Sequence, residues 1–163
     1  MQLFLEKCLL CLCLMGSNYL VAQEGGSGFR KTGFYQAMAG TNENAIDKQL
    51  ELLHTAAGSD KNVYEGALLM RKAGLERGAK KKLNLFKEGR RKLEAGIKLD
   101  SSNVEFRLLR LMIQEHAPGI LGYKNELQKD SLFIKNNFKK LPPIAKEAAI
   151  DYSKGSKILK LED

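Results

Sequence analysis

Apolar residues recur along this chain at helical rather than alternating intervals. Ala45, Ile46, Leu50, Leu53 and Ala57 follow Thr41 and Asn42 and stop at Gly58, which predicts a first helix. Asp60 is placed to cap a second, carrying Tyr64, Ala67 and Leu68 and reaching about Leu75, with Gly74 and Gly78 fraying its end. A third covers Ala79–Leu99, with Leu83, Phe86, Gly89 or Arg90, Leu93 and Ile97 along one face. Ser102, with Glu105 three positions on, reads as a capping box opening a fourth helix through His116, and Pro118 and Gly119 stop it. A fifth is expected over 123–138, and Pro142 and Pro143 open a sixth that runs to about residue 159. Only three valines occur, and no period-two run of β-branched residues competes. The pattern predicts an all-α fold of about six helices, paired as antiparallel hairpins and stacked into a short superhelix. Phe86, Leu93, Leu108, Leu111 and Met112 are its expected core.

The first 22 residues follow a different logic. Lys7, offset by Glu6, precedes an unbroken apolar run of eight from Cys8 to Met15. Gly16, Ser17 and Asn18 then break it, and Leu20, Val21 and Ala22 place a small residue before Gln23. This three-part pattern predicts a secretory signal peptide over 1–22, since a membrane span needs roughly 20 apolar residues. Cys8, Cys11 and Cys13 all lie within it, and Leu10 and Leu12 stand where a lipoprotein site requires a small residue. A mature chain from about Gln23 then has no cysteine, so an exported protein, periplasmic or secreted, must rely on its packed core. Residues 23–33, containing Glu24, Gly25, Gly26, Ser27 and Gly28, read as a flexible linker, and 34–163 as a single helical-repeat domain.

Composition narrows the chemistry. With two histidines in 163 residues and cysteine confined to the leader, no metal site, cofactor or catalytic Cys/His pair is implied. His116 adjoins Glu115, but neighbouring helix positions point ~100° apart and share a ligand poorly. His116 and His54 each fall in the last helical turn, where the helix dipole favours them. No HExxH, GxSxG or phosphate-cradling glycine loop is present, so no catalytic residue is assigned. Net charge is +8, and 71–98 alone carries eleven basic and three acidic residues, an excess equal to that of the whole chain. Lys80, Lys87, Arg91 and Lys98 share the face of the third helix opposite Phe86 and Leu93. They read either as a solvated outer face or as a basic patch for an acidic envelope component such as a lipid headgroup or polyanion. Nucleic acid is not expected, because no stacking aromatics interleave the lysines.

The fourth helix is apolar nearly all round, which makes it central, yet Arg107, Arg110 and Gln114 form an i, i+3, i+7 stripe on it. Charges on a central helix must be paired or line a groove. Candidate partners are Glu65 on the second helix and Glu88 or Glu94 on the third. Two readings stand: a structural ion pair between helix pairs, or a polar patch that receives a partner's carboxylate.

Gly89, Leu93, Gly96 and Ser101, followed by Asn103, sit at offsets 0, 4, 7 and 12, and Ala148, Tyr152 and Gly155 repeat the first three. This resembles the second helix of a tetratricopeptide repeat, although Ser101 replaces the usual Pro and the two sets lie 59 rather than 34 residues apart. Small residues at these offsets let a partner helix cross closely. The stretch 106–123 is also similar to short exported helical proteins of Gram-negative bacteria, which implies no mechanism. Together these readings predict a non-enzymatic, exported module of the cell envelope that binds or scaffolds a protein or peptide. Binding of an anionic envelope component through the basic third helix is one alternative, and an unrecognised enzyme such as a hydrolase is another.

Overall fold

The computed structural model describes residues 28–161. The predicted signal peptide, its cysteines and residues 23–27 of the expected linker lie outside them. The regular structure of the described residues is entirely helical: α1 Lys31–Ala39, α2 Glu43–Thr55, α3 Lys61–Leu75, α4 Ala79–Leu99, α5 Val104–His116, α6 Leu127–Asn137 and α7 Pro143–Gly155. Two short 3-10 turns, Gly119–Leu121 and Phe138–Lys140, complete it. The predicted third helix is therefore α4, and the fourth is α5.

One helix, α1, was not predicted: it starts at Lys31, within the expected linker, and runs on into the expected domain. In α1, Phe34, Tyr35, Ala37 and Met38 are buried, and the Phe34 ring meets Phe29, Tyr35 and Tyr64 at centroid distances of 6.1, 5.1 and 5.0 Å. Nine residues are too few to be helical alone, so α1 owes its shape to this packing. It is also pinned electrostatically. Lys31 Nζ lies 2.6 Å and Tyr35 Oη 2.9 Å from the carboxylate of buried Glu105 on α5.

That use of Glu105 overturns the expected capping box. Asn103, not Ser102, caps α5, its side chain accepting from the backbone N–H of Glu105 and Phe106 at 3.1 and 3.2 Å. Asp60 likewise makes no side-chain cap bond to α3 and instead accepts from Ser59 Oγ. Asn42 caps α2 through two backbone N–H groups. The predicted fifth helix is shorter than 123–138, because Gly122 in the left-handed region (φ +56°) closes a 3-10 turn and leaves Tyr123 in the loop before α6. The sixth, α7, opens at Pro143 but ends at Gly155. Ser156 Oγ accepts from the N–H of Ile158 and Leu159, turning the chain so that Leu159 is buried without being helical.

The tightest packing joins α3 to α4. A Cβ on Gly66 would lie 2.6 Å from the Gly89 carbonyl oxygen, and one on Gly89 2.5 Å from that of Gly66. A Cβ on Gly96 would fall 2.0 Å from Val63 Cγ2. Backbone thus meets backbone at the crossing, which only glycine permits. Helix α3 consequently buries most of its surface, packing on α1, α2, α4 and α5. Leu108, Leu109 and Leu111 make α5 central as expected, touching α3, α4, α6 and α7. Of the five expected core residues, Phe86, Leu93, Leu108 and Leu111 are buried, whereas Met112 is only half-buried.

Gly89→Ala should force the crossing apart and cost about 1–3 kcal/mol or more, the range for overpacking a close contact. Gly155→Ala adds a methyl that meets nothing within 4 Å and should leave stability unchanged or raise it by under ~1 kcal/mol. Urea midpoints of the two variants check the contrast.

Candidate functional site

The arginine stripe of α5 ends on a carboxylate the sequence reading did not name. Arg110 donates from Nε to Asp130 Oδ2 at 2.6 Å and from Nη2 to Oδ1 at 2.7 Å. Its Nη1 donates to Glu94 Oε2 at 3.0 Å. Arg107 Nη1 adds a third bond to Asp130 at 3.0 Å, with its guanidinium 5.3 Å from the Phe133 ring. Asp130 is fully buried, and Arg110 is 5% exposed. Burial alone favours a neutral guanidine, but Asp130 and Glu94 outweigh it and hold Arg110 charged. Tyr123 closes the cluster, its hydroxyl donating to Glu94 Oε1 at 2.6 Å while Arg90 sits 4.6 Å from its ring. Burial and the Glu94 carboxylate push that hydroxyl's pKa well above its ordinary value.

Of the four residues expected to act together, Arg107 and Arg110 converge and the other two stand apart. Glu65 pairs with Lys92 at 3.0 Å, and Gln114 is buried with an unbonded Oε1. Among the candidate acids, Glu94 is the one that reaches Arg110. The signal for Asp130 was present in the sequence: it shares an i, i+3, i+7 stripe with Leu127 and Ile134, both buried, and a carboxylate on such a stripe requires a cation. The two guanidiniums already hold carboxylates of their own chain. Lys80, Lys87, Arg91 and Lys98 are all exposed on α4 and make no ion pair among the described residues.

The space open to a ligand lies elsewhere. A groove of about 1060 Å³ is bounded by α1, α3, the N-terminal half of α4, the C-terminal end of α5 with its 3-10 turn, and α7. Helices α1 and α5 each pack on both α3 and α7, so they span between an α3/α4 flank and an α7 flank. Met38, Met70 and Met112, every methionine among the described residues, line it. At its mouth stand Leu83, 39% exposed, and Ile120, 95% exposed. Met112 was expected in the core and Leu83 on the apolar face of its helix; they border the groove because α7 packs on α1 and α5 and leaves this face uncovered. Ala148, Tyr152 and Gly155, the second small–large–small set, lie on its α7 wall, where a Cβ on Gly155 meets nothing.

Glu115 holds that wall in place. Its carboxylate accepts from Tyr152 Oη, Ser156 Oγ and the Lys157 N–H, each at 2.6 Å. Burial pushes the Glu115 carboxyl up, but these hydrogen bonds and neighbouring His116 outweigh it and hold it below the usual carboxylate range. His116 itself ends α5, its Nδ1 3.0 Å from the Met112 carbonyl oxygen. The described residues contain no group of three or more His, Cys, Asp or Glu side chains placed to hold a metal. None of the described helices is long and apolar enough to cross a membrane. Comparison with protein-family models, curated proteins and solved structures finds no match.

Arg110→Gln strands the buried Asp130 carboxylate and should cost roughly 3–5 kcal/mol, and adding Asp130→Asn should recover part of the loss. Denaturant unfolding of the single and double variants measures this. Because the Glu115 pKa is lowered on folding, its contribution is present above the unfolded value of 4.5 and is lost as pH falls through the folded one. Unfolding midpoints should therefore drop between pH 6 and pH 3, and drop less in Glu115→Gln.

Proposed function

We propose that this protein is a non-enzymatic binding module, exported to the cell envelope, that takes a peptide segment of a partner protein into the groove between α3/α4 and α7. The observation that carries the reading is the groove itself, a large apolar surface bordered by five helices and lined by three methionines. Its volume is at the upper end of the ~300–1,000 Å³ typical of small-molecule pockets, which suits an occupant of polypeptide size. Methionine is flexible and polarisable, and its thioether repacks around differing apolar partners, a property of surfaces that receive helices. The glycine-mediated crossing of α3 and α4 is in keeping with a degenerate tetratricopeptide-like hairpin, whose stacked relatives present grooves to peptides.

The exposed, unpaired Lys80, Lys87, Arg91 and Lys98 favour a second reading, attachment of an anionic envelope component to the outer face of α4. The two readings separate by mutation. Ile120→Lys and Leu83→Lys alter exposed side chains and should leave the melting temperature within a few degrees while removing partner capture from envelope extracts, at both low and moderate salt. Lys87→Gln with Arg91→Gln should leave that capture unchanged. Capture lost only in the second pair, and weakened steeply by salt, would transfer the function to α4.

A further inference from the structure

The groove has charged flanks of opposite sign, and this specifies what fits it. On the α3/α4 flank, Arg71 and Lys82 border the groove. The Arg71 guanidinium donates to the carbonyl oxygens of Met38 and Gly40 at 2.9 and 2.6 Å, which orders it without neutralising it. Lys82 is exposed and has no carboxylate partner among the described residues. Across the groove on α7, Glu147 and Asp151 border the opposite side. Asp151 shares its charge with Lys154 at 2.7 Å, and Glu147 is exposed. Between the flanks the surface is apolar, from Met70 and Met112 to Leu83 and Ile120 at the mouth.

We infer that the occupant is an amphipathic α-helix whose apolar stripe is edged with acidic residues on one side and basic residues on the other. This rests on the groove reading above and deepens it. A helix of ~10 Å diameter rising ~1.5 Å per residue would fill the groove with about nine residues, two and a half turns. Its apolar side chains at i, i+3, i+4 and i+7 meet the methionines, its acidic edge meets Arg71 and Lys82, and its basic edge meets Glu147 and Asp151. An anionic lipid satisfies the first flank and is repelled by the second. A polybasic ligand does the reverse. Only a ligand carrying both signs across its width satisfies both, and a given helix does so in one of its two axial directions, because reversing the axis exchanges its two edges.

The test uses the mature chain and three fluorescein-labelled synthetic helical peptides with the same Leu/Met stripe. One is edged Glu/Lys, one Lys/Lys and one Glu/Glu. At low ionic strength, fluorescence anisotropy should show the mixed peptide binding about five- to tenfold more tightly than either uniform one, and the margin should shrink in salt. Glu147→Lys should move the preference to the Glu/Glu peptide, and Lys82→Glu to the Lys/Lys peptide. Ile120→Lys should weaken all three together. Equal binding of the three peptides, all lost in Ile120→Lys, overturns the charge-edged helix and leaves the groove as a peptide site. If no peptide binds while a fluorescent fatty acid such as cis-parinaric acid does, both readings fall and the groove is a lipid site. A self-associating chain whose dimer is broken by Ile120→Lys, again with no peptide bound, overturns both in favour of a second copy.

Discussion

The contact between Gly66 and Gly89 sets the frame for everything around it. With carbonyl oxygens closer than a side chain allows, α3 and α4 form one rigid unit, and the 21 residues of α4 are fixed in rotation as well as position. That rotation turns Phe86, Leu93 and Ile97 inward and leaves Lys80, Lys87, Arg91 and Lys98 in solvent. It also brings Leu83 to the groove and Glu94 to Arg110. A single pair of small residues thus positions both the buried charge cluster and one flank of the groove, because close-packed helices cannot slide or roll without clashing.

The charge cluster secures the other half. Asp130 is fully buried, and two guanidiniums donate three hydrogen bonds to it. The bidentate Arg110 pair has one geometry, so α6 can dock on α5 in one register. Tyr123 extends the same network to the loop between them through Glu94. A second carboxylate, Glu105, plays the corresponding part at the far end of α5 by holding Lys31 and Tyr35 of α1. A third, Glu115, ties down α7 and the chain after it. Three acids on three sides of one central region therefore anchor elements remote in sequence, and the groove is the surface left where α1, α5 and α7 meet without filling the space beside α4.

Much of this was written in local pattern. Helical spacing, Pro143 at a helix start, glycine at 89 and 96, and a central α5 all follow from side-chain size and period within one segment. The inward and outward faces of α4 were equally legible, since its eight basic residues around one apolar stripe favour a single arrangement with the charges in solvent. What local pattern misjudged were choices between neighbours. Ser102 and Asn103 are both good caps, and Asn103 prevailed because Glu105 was needed against Lys31 and Tyr35.

Sequence by itself therefore determined the all-helical class, the faces of the longest helix and the need for buried arginines to find partners, because these depend on period and burial cost alone. Tertiary structure decided which partners they found, that residues 31–39 fold as a helix, and that Met38, Met70 and Met112 converge on one groove. Those outcomes join residues as far as 74 positions apart. No window of sequence contains both members, and only the docking of α1 and α7 onto α5 brings them together.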